Sequence, residues 1–176
     1  MKILAISGSL RKKSYNTAII QTLASFDSEI KIYADLGKLP FFNPDMDIPA
    51  VQNADLPFLV QEFRAQIAEA DAIVISTPEY AFEIPGVLKN ALDWLVSSGE
   101  IVDKPVAVIS ASTSAMGGDK ANEVLVKLLK VLSGNLVEKA ILKVSRANKK
   151  IDDDGKVIDK DLVADLQTFL AELKFG

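Results

Sequence analysis

The sequence predicts an α/β fold, a three-layer α/β/α sandwich around a five-stranded parallel sheet, and two observations lead to it. Short apolar runs rich in β-branched residues alternate with longer segments of helical period, as in parallel strands joined by crossover helices. The runs are also almost continuously apolar, as strands covered on both faces are. With 176 residues the chain has the length of one domain, residues 1–176, and can bury a core without staples.

Ile3–Ser7 reads as the first strand, followed by a helix that places Ile19, Ile20, Leu23 and Phe26 on one face. The second strand is Ile30–Tyr33. Residues 34–56 then carry Gly37, Pro40, Pro44 and Pro49 among Asp35, Asp45, Asp47 and Asp55, with no period; connections of this length are often functional or mobile. A helix with Val60, Phe63 and Ile67 on one face leads to the third strand, residues 72–76. The next helix, residues 87–96, aligns Val87, Leu88, Ala91, Leu92 and Leu95. Trp94 shares that face and is assigned to packing, either in the core or against a second subunit.

Residues 106–110 form the fourth strand and residues 140–144 the fifth, separated by a helix bearing Val124, Leu125, Leu128, Leu129 and Leu132. A last helix with Leu162, Leu166, Phe169, Leu170 and Leu173 closes over the sheet. Before it, Asp152-Asp153-Asp154-Gly155 reads as a turn. An EF-hand register would put Lys150 at its first position, so no metal site is assigned.

Composition narrows the chemistry. The 20 Lys and Arg against 24 Asp and Glu leave a net charge of −4, which disfavours a nucleic-acid surface and favours a small partner. Cys and His are absent, which removes thiol nucleophiles, imidazole bases and thiolate or imidazole metal sites. The apolar run at the start is shorter than a signal segment, and no stretch approaches a membrane span, so the expected location is cytoplasmic.

Three loops at the carboxyl ends of strands carry the functional signal. The first, Ser7-Gly8-Ser9-Leu10-Arg11-Lys12-Lys13-Ser14-Tyr15-Asn16-Thr17, sets hydroxyls, an amide and cations between a strand and a helix amino end. Free N–H groups and the helix dipole attract anions there, so the segment either holds a phosphate or simply caps its helix through Ser14 or Asn16. It matches neither the P-loop nor the dinucleotide glycine pattern.

The second, Thr77-Pro78-Glu79-Tyr80-Ala81-Phe82-Glu83-Ile84-Pro85-Gly86, is stiffened by two prolines, with Gly86 suited to a tight bend. In a flavodoxin-like sheet of order 2-1-3-4-5 these two loops face each other across the topological switch point. Tyr80 and Phe82 either pack over the sheet edge or flank a flat ligand, and a flat ring with a phosphate tail has the shape of flavin mononucleotide (FMN). The third loop, residues 110–118, offers Ser112 as a contact to a ring's polar edge, with Gly117 and Gly118 as turn residues.

The segments Gly8 to Asn16 and Thr77 to Tyr80, continued by Ile84-Pro85-Gly86-Val87-Leu88-Lys89-Asn90-Ala91-Leu92-Asp93-Trp94, closely resemble the NADPH-dependent FMN reductase family, which includes bacterial quinone, chromate and azo-dye reductases. The resemblance implies that Ser9, Arg11, Ser14 and Asn16 hold the FMN phosphate, with Leu10 and Tyr15 contributing by position. It implies that Pro78, Glu79 and Tyr80 line the ribityl chain and isoalloxazine, and that Ser112 lies near the ring. Ala81 stands where the family usually has Asn, a departure that bears on FMN affinity. The third loop holds less glycine than is usual, which bears on nicotinamide access.

The activity so implied is that of an FMN-dependent NAD(P)H oxidoreductase. Hydride passes from NADPH or NADH to bound FMN and the electrons go on to a small-molecule acceptor: a quinone, an azo compound or a metal oxyanion. No catalytic acid or base is assigned. The resemblance also implies a homodimer or homotetramer, to which the apolar helix of residues 87–96 lends itself. The alternative is a flavodoxin-like electron carrier that binds FMN without oxidising NAD(P)H.

Overall fold

The computed structural model describes residues 1–47 and 56–176; Pro49 and Asp55 of the long connection lie outside the described residues. Five parallel strands, β1 (Ile3–Ser7), β2 (Ile30–Tyr33), β3 (Ala72–Thr77), β4 (Pro105–Ala111) and β5 (Asn135–Val144), pair in the order β2-β1-β3-β4-β5. This is the predicted flavodoxin-like sheet. β5 begins earlier than its apolar run, because as an edge strand it keeps Glu138 and Lys139 in solvent. Its pairing with β4 shifts register between Val106 and Val108.

Helices cover both faces. On one, α2 (Phe58–Glu69), α3 (Gly86–Asp93) and α4 (Asp119–Val131) bury Phe63, Ile67, Leu88, Trp94, Leu125 and Leu129 against Leu4, Ile73 and Val108. On the other, α1 (Tyr15–Phe26) and α6 (Lys160–Phe175) bury Ile19, Ile20, Leu23, Leu166 and Phe169 against Ala5, Val74 and Ile109, next to the short α5 (Ala147–Lys150). Alternate residues of each central strand thus feed two separate cores, which is why those strands read as unbroken apolar runs.

Trp94 is fully buried, its ring edge-on to Phe42 and its Nε1 donating to the Pro40 carbonyl at 3.0 Å. Of the two packing roles open to it, the core is the one it fills. Leu88, Ala91, Leu92 and Leu95 are buried with it, so most of this apolar stripe turns inward, leaving Val87 half-buried and Val96 exposed.

The long connection is tied down at several points. Asn90 donates to the Pro40 carbonyl and accepts from the Phe42 N–H, while short 3-10 turns form at Leu36–Lys38 and Pro44–Met46. Arg64, buried in α2, pairs with Asp47 at 2.8 Å and donates through Nε to the Trp94 carbonyl that ends α3.

Candidate functional site

β1 ends at Ser7, and Gly8 brings the chain close to its neighbours: its N–H donates to the Ser76 carbonyl at 2.8 Å, and a Cβ there would stand 3.0 Å from Leu88. Ser7 Oγ and Thr17 Oγ1, 2.8 Å apart, close the loop between them. Ser14 is the N-cap of α1, its hydroxyl accepting from the Thr17 N–H at 3.3 Å. The N–H groups of Tyr15 and Asn16, in the first turn of this helix, have no acceptor among the described residues. With Arg11 stacked 5.7 Å from the Tyr15 ring centroid, the helix amino end combines free donors, dipole and cation.

Ser9, Arg11, Ser14, Tyr15, Asn16, Pro78, Glu79, Tyr80 and Ser112 line one concave pocket of about 160 Å³, together with Ala111 and Thr113. The loops after β1, β3 and β4 therefore converge. Ala111 is the last residue of β4, which runs one residue beyond its predicted end, and Thr113 follows in the loop.

Two predicted residues stand outside the pocket wall. Leu10 packs on Gly37, where a Cβ would come within 2.9 Å of its side chain. Ala81 lies at the tip of a two-residue turn: Tyr80 and Glu83 exchange backbone hydrogen bonds of 3.0 and 3.1 Å, and Ala81 and Phe82 between them have φ of +52° and +64°. Both central residues are thus left-handed, the geometry that favours Asn-Gly. Gly86 makes no such bend; it opens α3 behind Pro85. The strain that sequence reasoning placed on a glycine falls on Ala81 and Phe82.

Asn16 lines the pocket, yet its carboxamide is engaged below it. Its oxygen accepts from Ser76 Oγ at 2.8 Å and its nitrogen donates to the Ala111 carbonyl at 3.2 Å. A second buried pair, Asn122 to Ser110 at 3.1 Å, ties α4 to β4. Sequence reasoning missed this polar floor, for which the only local signal is a Ser ending an apolar strand.

Gly117 and Gly118, with φ of +64° and +78°, turn the third loop into α4. Ser112 and Ser114 carbonyls accept from the Ala147 and Arg146 N–H groups, fixing this loop to the chain beyond β5. α4 begins with Asp119, whose carboxyl is held below the ordinary range first by a hydrogen bond from Lys143. Lys120 is raised above its ordinary value by Glu123.

Comparison with known proteins follows the same outline. Residues 1–149 match the family described as NADPH-dependent FMN reductase. The chain is 35% identical over 175 residues to a 2-hydroxy-1,4-benzoquinone reductase of Burkholderia sp, covering 97% of this chain and 92% of that one. It is 36% identical over 164 residues to an NAD(P)H-dependent FMN reductase of Pseudomonas aeruginosa, covering 90% and 85%. Among solved structures, the flavoenzyme NAD(P)H:(acceptor) oxidoreductase FerB of Paracoccus denitrificans superposes with a TM-score of 0.81 at 28% identity, over 99% of this chain and 98% of that one.

Proposed function

We propose, for a chain that belongs to the NADPH-dependent FMN reductase family, that the pocket between the loops after β1, β3 and β4 holds FMN and serves an NAD(P)H-dependent oxidoreductase of the quinone reductase type. The observation that carries the reading is the helix amino end: N–H groups of Tyr15 and Asn16, without acceptors among the described residues, share a pocket with Arg11, Ser9 and Ser14 and with the aromatic Tyr80. Donors without acceptors beside a cation suit a phosphate, and a flat aromatic wall suits a ring.

In this reading Arg11 neutralises the phosphate, the hydroxyls of Ser9 and Ser14 donate to it, and Pro78 and Tyr80 form the wall along the ribityl chain and ring. Ser112 presents a hydroxyl to the ring's polar edge. Bound FMN supplies the electron-transfer chemistry between nicotinamide and acceptor. The residues bind, orient and shield; none is assigned as an acid or base.

This half-open pocket of about 160 Å³ is smaller than the ~300–1,000 Å³ of ordinary ligand pockets, which supports a ring lying partly across the open side, beside exposed Tyr80 and Phe82. A second copy of the chain covering that side would complete the site, in a homodimer or a homotetramer built from such pairs. Quinones are the first acceptors to try, since the similar proteins bear quinone reductase names, with azo compounds and metal oxyanions after them. An NAD(P)H-dependent reaction of this kind fits a cytoplasmic location.

Anaerobic addition of NADPH to the FMN-loaded protein, followed by a quinone, tests the proposal. Bleaching of the flavin band and its return on adding quinone is the expected result. A flavin that stays oxidised would make the protein an electron carrier instead, and absence of NAD(P)H oxidation with any acceptor overturns the enzymatic reading.

A further inference from the structure

Glu79 stands where two parts of the pocket meet. It belongs to the loop after β3, yet its Oε2 accepts from the N–H groups of Lys120 and Ala121, at 2.8 and 3.1 Å, in the first turn of α4. That helix has no cap of its own: Gly118 occupies the N-cap position and no side chain from the same segment satisfies the helix amino end. A carboxylate from another element does so instead, with charge-assisted hydrogen bonds aided by the helix dipole. Gly118 lies at φ +78°, and a Cβ there would stand 3.2 Å from Ser110 Cβ and in ordinary contact, 3.7 Å, with Glu79 Cβ.

Directly after Glu79 comes the turn with left-handed Ala81 and Phe82. L-residues with a Cβ resist that conformation, and such strain persists only where the surroundings over-determine it. The mutual bonds of Tyr80 and Glu83 supply part of the restraint, and the buried Pro78 and Pro85 hold the turn's two ends. Glu79 supplies the bond that reaches out of the loop to a different helix.

We infer that Glu79 is a positioning residue: its carboxylate fastens the strained turn to α4 and so holds Tyr80 at the pocket wall. The effect on flavin affinity rests on the FMN reading above, whereas the clamp itself does not. Gln at this position keeps an acceptor without the charge, and Ala removes both. Glycine adopts positive φ without strain, so Ala81→Gly relieves one of the turn's two left-handed residues and lessens its need for an external restraint.

The experiment combines amide hydrogen exchange on the flavin-free protein with FMN titration, for the wild type, Glu79→Gln, Glu79→Ala and the double variant Glu79→Ala/Ala81→Gly. In Glu79→Ala, exchange at Tyr80, Glu83, Lys120 and Ala121 accelerates and FMN affinity falls about tenfold, the scale of a lost hydrogen bond to a charged group. Glu79→Gln falls between, and remains informative if the Ala variant does not fold. Adding Ala81→Gly restores part of the affinity while Lys120 and Ala121 still exchange fast, a pattern that general destabilisation does not produce.

Unchanged exchange at these four amides in Glu79→Gln and Glu79→Ala overturns the proposal. So does faster exchange with wild-type FMN affinity, or failure of Ala81→Gly to recover any affinity. Wild-type protein that binds no FMN overturns the cofactor reading instead, and exchange at Tyr80 and Glu83 then decides the clamp alone.

Discussion

Ser76 Oγ donates to Asn16 Oδ1 at 2.8 Å, joining the end of the third strand to the first turn of the helix that follows the first. The same carboxamide reaches the Ala111 carbonyl at the end of the fourth strand. One buried side chain therefore sets the relative positions of all three loops around the pocket.

Asn16→Ala leaves the Ser76 hydroxyl and the Ala111 carbonyl without this partner. Losing buried hydrogen bonds of this kind costs about 1–3 kcal/mol, and denaturant unfolding should show a fall of that size together with weaker FMN binding. Unchanged stability would mean that the network positions nothing.

Arg11 is exposed and sits at the amino end of α1, with no ion pair among the described residues. Arg11→Ala should weaken FMN binding by roughly 1.5–3 kcal/mol, the range for hydrogen bonds to charged groups, while riboflavin, which lacks the phosphate, binds wild type and variant alike. Equal FMN affinities in titrations of the two proteins would place the phosphate elsewhere.

Ala81 occupies a left-handed position that Asn tolerates better, because its short polar side chain bonds locally to the backbone. Ala81→Asn should therefore stabilise the protein by about 1 kcal/mol, read as a shift in the denaturation midpoint. A decrease would show that the turn is not strained as its backbone angles indicate.

Burial, reinforced by Asp35 and Glu62, pushes the Tyr33 hydroxyl from 10.0 up to about 12. Its folded pKa lies above its unfolded one, so the stability it contributes is complete below pH 10.0 and is lost as pH rises towards 12. Unfolding free energy measured across that window should fall, and Tyr33→Phe, keeping the contact with Phe63, should flatten the fall. Identical slopes in both proteins would contradict the assignment.

Periodicity made the architecture legible, because Ile3 to Ser7 and Ala72 to Ser76 are apolar on both faces and the helical stripes between them unambiguous. What it could not show are pairings over long sequence distance. Nothing near Asn16 signals that residues 60 and 95 positions away will bind its two ends. The resemblance gives Glu79 as a ligand contact, and only the folded chain brings its carboxylate to the α4 amino end. Likewise Gly86 looks like the bend, whereas the turn closed by Tyr80 and Glu83 puts the left-handed residues at Ala81 and Phe82. Most of the candidate site was visible as loop chemistry; its supporting framework was not.

Equilibrium titration of flavin-free protein with FMN, followed by flavin fluorescence, tests the central claim most directly. Saturation at one FMN per chain is the expected result, with half-saturation of Arg11→Ala at roughly ten- to a hundredfold higher concentration. Absence of binding by the wild-type protein would contradict it, and with it the assignment of the pocket beside Tyr15 and Tyr80.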